Sequence, residues 1–278
     1  MKTGLVMEGG AMRGMFTCGV LDVFMERGIT FDGAVGVSAG ATFGINIKSG
    51  QIGRAFRYNK KYCSDKRYHS IASLLKTGDI YNVDFCYREL PYELDKWDEE
   101  AFEKNPMEFY CVATDVNTGK AVYHKCLTGG EQDIQWIRAS ASMPLVSKSV
   151  GLEGGLYLDG GSSDSIPLKF MEEQGYDKIL VIETQPRDYV KGEQKLMPLV
   201  KMRYRKYPNM IKCLEKRHIM YNEEKRYIRE KEEREEVLVI RPKEPLSISP
   251  IEKNPDEIER VYKLGRAAAE EFLAQHTI

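Results

Sequence analysis

Gly36-Val37-Ser38-Ala39-Gly40 is a G-x-S-x-G pentapeptide, preceded by Ala34-Val35 and followed by Ala41-Thr42-Phe43-Gly44-Ile45-Asn46-Ile47. The run before the serine reads as a short buried strand and the run after it as a helix. Ser38 therefore occupies a strand, turn and helix corner, the context in which this motif carries nucleophilic chemistry. Gly36 and Gly40 tolerate a strained turn, and a hydroxyl at a helix N-terminus meets amides and a dipole that favour developing negative charge. Read alone, the same pentapeptide is also a glycine-bearing turn of any α/β domain.

Upstream, Leu5-Val6-Met7 reads as a first strand, and Met12, Met15, Phe16, Val20, Val23 and Phe24 recur at helical spacing until Gly28 supplies a stop. Strand, helix and strand make a βαβ crossover, hence parallel strands covered by helices. Downstream, further strands are expected at Glu108 to Thr114, Lys120 to His124, Leu156 to Leu158, Lys178 to Glu183 and Glu236 to Ile240. Residues 186 to about 235 read as a long charged helical region. A last helix starts near Pro255-Asp256, with Ile258, Val261, Leu264, Ala268 and Phe272 on one face.

With 278 residues, 42% hydrophobic and 30% charged, the chain suits one large core with an appended segment. The 41 basic and 42 acidic residues leave a net charge of -1, which argues against a nucleic-acid partner. Six cysteines at 18, 63, 86, 111, 126 and 213 show no C-x-x-C and no clustering with the four histidines, so reduced, mostly buried thiols and no metal site are expected. The opening Met1 to Gly9 is too short an apolar stretch for a signal region, and no later stretch is of membrane-spanning length, from which a cytoplasmic protein is expected.

Glu8-Gly9-Gly10-Ala11-Met12-Arg13-Gly14 joins the first strand to the first helix, so its amides face outward at the carboxyl edge of the sheet. Ser38 leaves a neighbouring strand at the same edge, where open α/β folds bind ligands. Gly9, Gly10 and Ala11 are thus candidate oxyanion donors, and Arg13 braces the loop or adds charge. A nucleotide-binding turn is the competing reading, disfavoured because the spacing is neither G-x-G-x-x-G nor G-x-x-x-x-G-K-[ST]. The partner of Ser38 is not evidently a histidine. His69, His124, His218 and His276 lie in polar or terminal contexts without an obvious orienting acid. Tyr157-Leu158-Asp159-Gly160-Gly161 instead sets a carboxylate at a strand end on a tight turn, which makes Asp159 the candidate general base, provided burial raises its pKa. Asp-Gly is also a common turn dipeptide.

These residues resemble the patatin-like phospholipase family, whose members pair a G-x-S-x-G nucleophile with an aspartate in a D-G-G or D-G-A turn and a glycine-rich oxyanion loop. Glu8 to Gly14, Gly36 to Gly40 and Asp159 to Gly161 follow the family order. Ala113 to Gly119 and Ala139 to Pro144 look like further signatures, and the stretch from Val237 is similar to a bacterial intracellular subgroup. The resemblance implies a three-layer α/β/α fold with a mainly parallel sheet, a catalytic core over 1–185 and a C-terminal extension over 186–278. It implies an acyl-ester hydrolase of phospholipase A or lysophospholipase type that uses Ser38 and Asp159 as a dyad, an acyl-enzyme and no cofactor. A weak lipid binder and an acyltransferase to a non-water acceptor are the alternatives.

Two positions depart from the family loop D-G-G-G. Ala11 stands at its third small position, where a Cβ disfavours positive φ, so a right-handed or extended conformation is expected. Glu8 replaces the aspartate and is expected to be structural. Two basic, tyrosine-bearing stretches, Arg54 to Tyr68 and Lys201 to Tyr207, are candidate contacts with anionic lipid headgroups.

Overall fold

The computed structural model describes residues 1–276. β1 (Thr3–Met7), α1 (Gly14–Glu26), β2 (Gly33–Val37) and α2 (Ala39–Ser49) form the expected βαβ unit and its continuation. An excursion follows through α3 (Arg54–Tyr62), α4 (Ile71–Thr77), a π-helical turn set over Phe85–Leu94 and α5 (Glu99–Lys104). Then come β3 (Glu108–Asp115), β4 (Ala121–Cys126), α6 (Glu131–Ser140), β5 (Val150–Leu152), β6 (Gly155–Asp159), α7 (Leu168–Glu173) and β7 (Lys178–Ile182). The last third adds α8 (Met197–Arg203), α9 (Pro208–Glu233), β8 (Val237–Ile240) and α10 (Pro255–Gln275).

All eight strands join one sheet, ordered β5-β6-β3-β2-β1-β7-β8 with β4 on β3. β3, β2, β1, β7 and β8 run parallel, and β4, β5 and β6 add antiparallel pairs at one side. Successive strand side chains go to opposite faces. Leu5, Met7, Ala34 and Leu180 pack under α1, α2, α3 and α10, whereas Val6, Val35, Val37 and Val181 pack under α7 and α9. The result is the expected three-layer α/β/α arrangement, with strands buried on both faces because helices cover both. Among the described residues no helix is long and apolar enough to cross a membrane.

Two local expectations need correction. Residues 186–235 are two helices after an irregular stretch, because Pro208 starts a new helix at its first turn. On α10, Leu264 points to solvent, and Tyr262, Gly265 and Ala269 are buried instead. Backbone contact sets this rotation: a Cβ on Gly265 would lie 1.9 Å from the Phe16 carbonyl oxygen, and one on Gly19 2.1 Å from that of Tyr262. Two helices at that separation leave room only for glycine. β5 had no counterpart in the sequence reading, since three residues are too few to show alternation.

One feature of the sheet positions the site. β2 runs beside β3 until Val37 pairs with Val112, and β6 meets β3 from the opposite direction until Asp159 pairs with Ala113. β4 occupies the other side of β3 over the same residues, so β2 and β6 share one side and end head to head. Ser38 and Asp159 are the residues at which they end.

Candidate active site

Ser38 sits at φ 54°, ψ −116°, a conformation that strains any residue with a Cβ. Gly36 and Gly40 do not carry the positive φ themselves. They permit close approach: a Cβ on Gly36 would lie 2.5 Å from the Gly40 oxygen, and one on Gly40 2.3 Å from the Met7 oxygen. The turn is tight because both neighbours are bare, and the strain falls on the serine. Ser38 is buried, only 7% exposed.

Ser38 Oγ donates to Asp159 Oδ2 at 2.6 Å. The Gly161 amide donates to Asp159 Oδ1 at 2.8 Å, which fixes the carboxylate plane. Gly160 is required for contact, since a Cβ there would lie 2.1 Å from the Val112 oxygen. Asp159 is buried, and desolvation pushes its pKa above the ordinary carboxylate value. The Ser38 hydroxyl, the Arg217 charge, the Gly161 amide and Lys191 oppose that rise. Burial thus outweighs these contacts and leaves the carboxylate more basic than a solvated aspartate.

The two signature stretches brace this pair. Ser140 Oγ accepts the Ser38 amide at 3.0 Å, and the Ser142 carbonyl accepts the Asp159 amide at 2.8 Å. Thr114 Oγ1 donates to the Asp159 carbonyl at 2.8 Å. Hydroxyl residues in short turns supply such bonds wherever the ladder stops.

Gly9 lies against Ser38: a Cβ there would be 3.0 Å from Ser38 Cβ. Among the described residues the amides of Gly9, Gly10 and Ala11 have no acceptor. Ala11 contradicts its expected conformation, with φ 47°. The loop is held from both ends strongly enough to impose it. Buried Glu8 accepts the Thr184 amide at 2.6 Å and the Tyr221 hydroxyl at 2.7 Å, and Thr184 Oγ1 donates to the Gly9 carbonyl at 3.1 Å. Burial and then Glu183 push the Glu8 pKa up, so its structural role rests on these bonds. Strain of this kind costs on the order of 1–2 kcal/mol at an alanine. Arg13 lines the same chamber as the loop, its Nε buried and without a partner among the described residues.

Two chambers meet at Ser38. One is apolar, walled by Phe43, Tyr58, Tyr68, Tyr81, Tyr87 and Leu90. The other holds Asp159, Gly161, Tyr221 and the cations Arg13, Lys191 and Arg217. They share Ala11, Ser38 and Met143. Sequence reasoning missed Lys191, Arg217 and Tyr221, which lie far along the chain in charged stretches without local pattern.

The histidine reading also changes in detail. His69 is buried. His124 does have an orienting acid, Asp133, at 2.8 Å, and stacks on Trp136. With Cys126 they cluster within 4.8 Å, contrary to the expected absence of such a group. Asp133 Oδ2 already accepts the amides of Leu127, Thr128 and Gly129, so the cluster clamps the turn after β4. All six cysteines are free thiols.

A parallel-sheet α/β protein with a buried serine-aspartate pair at the strand ends, beside a bare amide loop, is the class the geometry defines. The patatin-like phospholipase family model matches residues 5–171, and the chain belongs to that family. A domain of unknown function (DUF6363) matches 207–277, the part that supplies Arg217 and Tyr221. The chain is 27% identical to the uncharacterized protein YjjU of Escherichia coli over 98% of its own length and 77% of that protein's. It is also 27% identical to the lysophospholipases nte1 of Emericella nidulans and Neurospora crassa, over 65% and 67% of this chain but 12% of each of those proteins. VipD from Legionella pneumophila aligns over 99% of this chain and 67% of its own at a TM-score of 0.49 and 13% identity.

Proposed function

We propose that the protein is a serine acyl-ester hydrolase of lysophospholipase type. The observation that carries this is the 2.6 Å hydrogen bond from the strained Ser38 to the buried Asp159, next to unpartnered amides. Asp159 takes the hydroxyl proton as Ser38 Oγ attacks the ester carbonyl carbon, and the amides of Gly9, Gly10 and Ala11 receive the oxyanion. Collapse expels the alcohol, which leaves with the proton from Asp159. Water then attacks the acyl-enzyme and gives its proton to Asp159, and the freed carboxylic acid leaves as Ser38 regains its hydrogen. The family and the lysophospholipase relatives support a lipid ester as substrate. The apolar chamber suits its acyl chain.

Turnover of p-nitrophenyl esters and a lysophospholipid tests the reading. Ser38→Ala and Asp159→Asn are each expected to lose more than about a thousandfold in kcat with the fold intact. Fluorophosphonate labelling should disappear in Ser38→Ala. Substantial turnover by either purified variant would refute the dyad.

Contact with a lipid surface belongs, on this reading, to α8 rather than to the first basic stretch. Arg57 pairs with Asp95, Lys60 with Glu259 and Arg67 with Asp65, while Tyr58, Tyr62 and Tyr68 are buried. Around α8, Leu196, Leu199 and Met202 are exposed beside Arg203, Arg205 and Lys206, with Lys201 paired to Glu215 at 3.7 Å. Co-sedimentation with anionic vesicles that is unchanged in Leu199→Asp/Met202→Asp would remove this assignment.

A further inference from the structure

Away from both chambers, four metal-ligating side chains converge between the sheet and α6. The period of two puts His124 and Cys126 of β4 on one face, and the ladder sets Cys111 of β3 directly opposite His124. Asp133, in the first turn of α6, closes over them. Cys111, Cys126 and Asp133 are buried and His124 is half-buried. His124 Nε2 lies 2.8 Å from Asp133 Oδ1, and the donor atoms of His124, Cys126 and Asp133 all lie within 4.8 Å of one another. Cys126 Sγ is 4.0 Å from Cys111 Sγ.

Imidazole, carboxylate and two thiols make a donor set for tetrahedral zinc. With Zn–S at about 2.3 Å, two thiolates on one ion sit about 3.8 Å apart, and nitrogen and oxygen donors about 3.3 Å apart. The sulfur pair is close to that spacing already. His124 and Asp133 need to open by only about 0.5 Å to admit the ion. A hydrogen-bonded turn clamp accounts for Asp133 Oδ2, which accepts three backbone amides, but it gives the two thiols no task and leaves Oδ1 to His124 alone.

Lys48 of α2 supplies an independent observation. It is 6% exposed, and among the described residues its ammonium has no hydrogen bond or ion pair, only the face of Phe102 at 4.2 Å. The ionisable neighbours that act on its charge are first Cys126, then Asp133, Lys125 and Glu108. Zinc bound by two thiolates and a carboxylate is left with one excess negative charge, and an unpaired buried ammonium beside it is the matching counter-charge.

We propose that Cys111, His124, Cys126 and Asp133 hold a structural zinc ion, with Lys48 balancing its charge. Binding releases the two thiol protons to solvent and replaces the His124 to Asp133 hydrogen bond; the imidazole stays neutral, with its hydrogen on Nδ1. None of the four ligands lines either chamber, so the ion has no part in the ester chemistry. It pins the start of α6 to β3 and β4. The far end of α6 carries Ser140, whose hydroxyl accepts the Ser38 amide, so the ion steadies that brace.

Metal analysis of the untagged full-length chain, purified under reducing conditions without chelator, should find about one zinc per chain after dialysis. Titrating the zinc-stripped, reduced wild type with Co²⁺ should give tetrahedral d–d bands and intense sulfur-to-cobalt charge transfer, a readout that requires no variant to fold. Cys111→Ser and Cys126→Ser should each remove part of that intensity and weaken zinc binding about tenfold or more, with circular dichroism checking that they fold. Lys48→Met should weaken binding with the cobalt bands unchanged. Stripping zinc should lower the melting temperature of the wild type and leave that of Cys126→Ser where it was. A reduced chain that takes up neither zinc nor cobalt overturns the proposal. So does cobalt bound without sulfur charge transfer, or bound equally well by Cys126→Ser, which would mark an adventitious surface ion. A Cys111–Cys126 disulfide in the freshly isolated, metal-free chain, found by thiol counting, would overturn it in favour of a redox pair.

Discussion

The two chambers on either side of Ser38 are made from different kinds of sequence. The apolar one is walled by α2, α3 and the π-helical turns, from residues 43 to 90, together with the stretch after α6. The cationic one combines the first glycine loop with side chains near 191, 214–221 and 250. Ser38 therefore faces an oily environment and a charged one, and an amphiphile can lie across it with each end matched. The lesson is that the reactive pair defines the bond broken, whereas the walls define which molecule offers it.

The comparison can be broken most severely at its shared point. Ser38→Ala and Asp159→Asn should abolish turnover of charged and neutral esters alike, because both chambers serve the same chemistry. If one class survived, the chambers would have separate active centres. Asp159→Asn carries a second expectation. Burial raises the Asp159 pKa in the folded protein, so the folded state holds its proton more tightly than the unfolded chain, and ionisation costs stability as pH rises through the folded value. The asparagine variant should therefore melt at or above the wild-type temperature at pH 7, with the gap closing as pH is lowered toward the unfolded carboxylate range.

Next in size is the apolar wall. Ala141→Trp should lower kcat/KM for a long-chain ester relative to a short-chain one by roughly 10- to 100-fold, since the indole takes space from the chain. An unchanged chain-length profile would move the acyl group elsewhere. The cationic wall gives a smaller and different signature. Arg217 and Lys191 favour the ionised Asp159, so Arg217→Gln should shift the acid limb of kcat/KM for a neutral ester to higher pH. A static limb would separate the cations from the dyad. Smallest is Ala11→Gly, which relieves the positive φ and should stabilise the fold by about 1 kcal/mol, read as a rise in melting temperature.

Much of this was legible without coordinates. Strong periodic or punctuated stretches, such as Met12 to Gly28 and the Pro255 helix, have their elements close to where the pattern puts them. Ser38 and Asp159 stood out because each pairs a reactive group with glycines at a strand end. What failed was whatever depends on contact between distant segments. Ala11 was assigned a relaxed conformation because a local rule cannot register that Glu8, Thr184 and Tyr221 hold its loop. Leu264 fits the helical stripe, yet the glycine-to-glycine contact of α1 with α10 turns it outward. His124 and Asp133 are nine residues apart and meet only because a turn after β4 folds back.

By itself the sequence determined the layered α/β architecture and the two turns that carry the reactive groups, since strand period, helix period and glycine placement are local properties of the chain. The meeting of those turns was decided by the sheet, where β2 and β6 end against each other along β3. The charge of the second chamber was decided there too. Lys191 and Arg217 lie in stretches rich in both signs, and only packing selects which cations line the chamber beside Ser38 and Asp159.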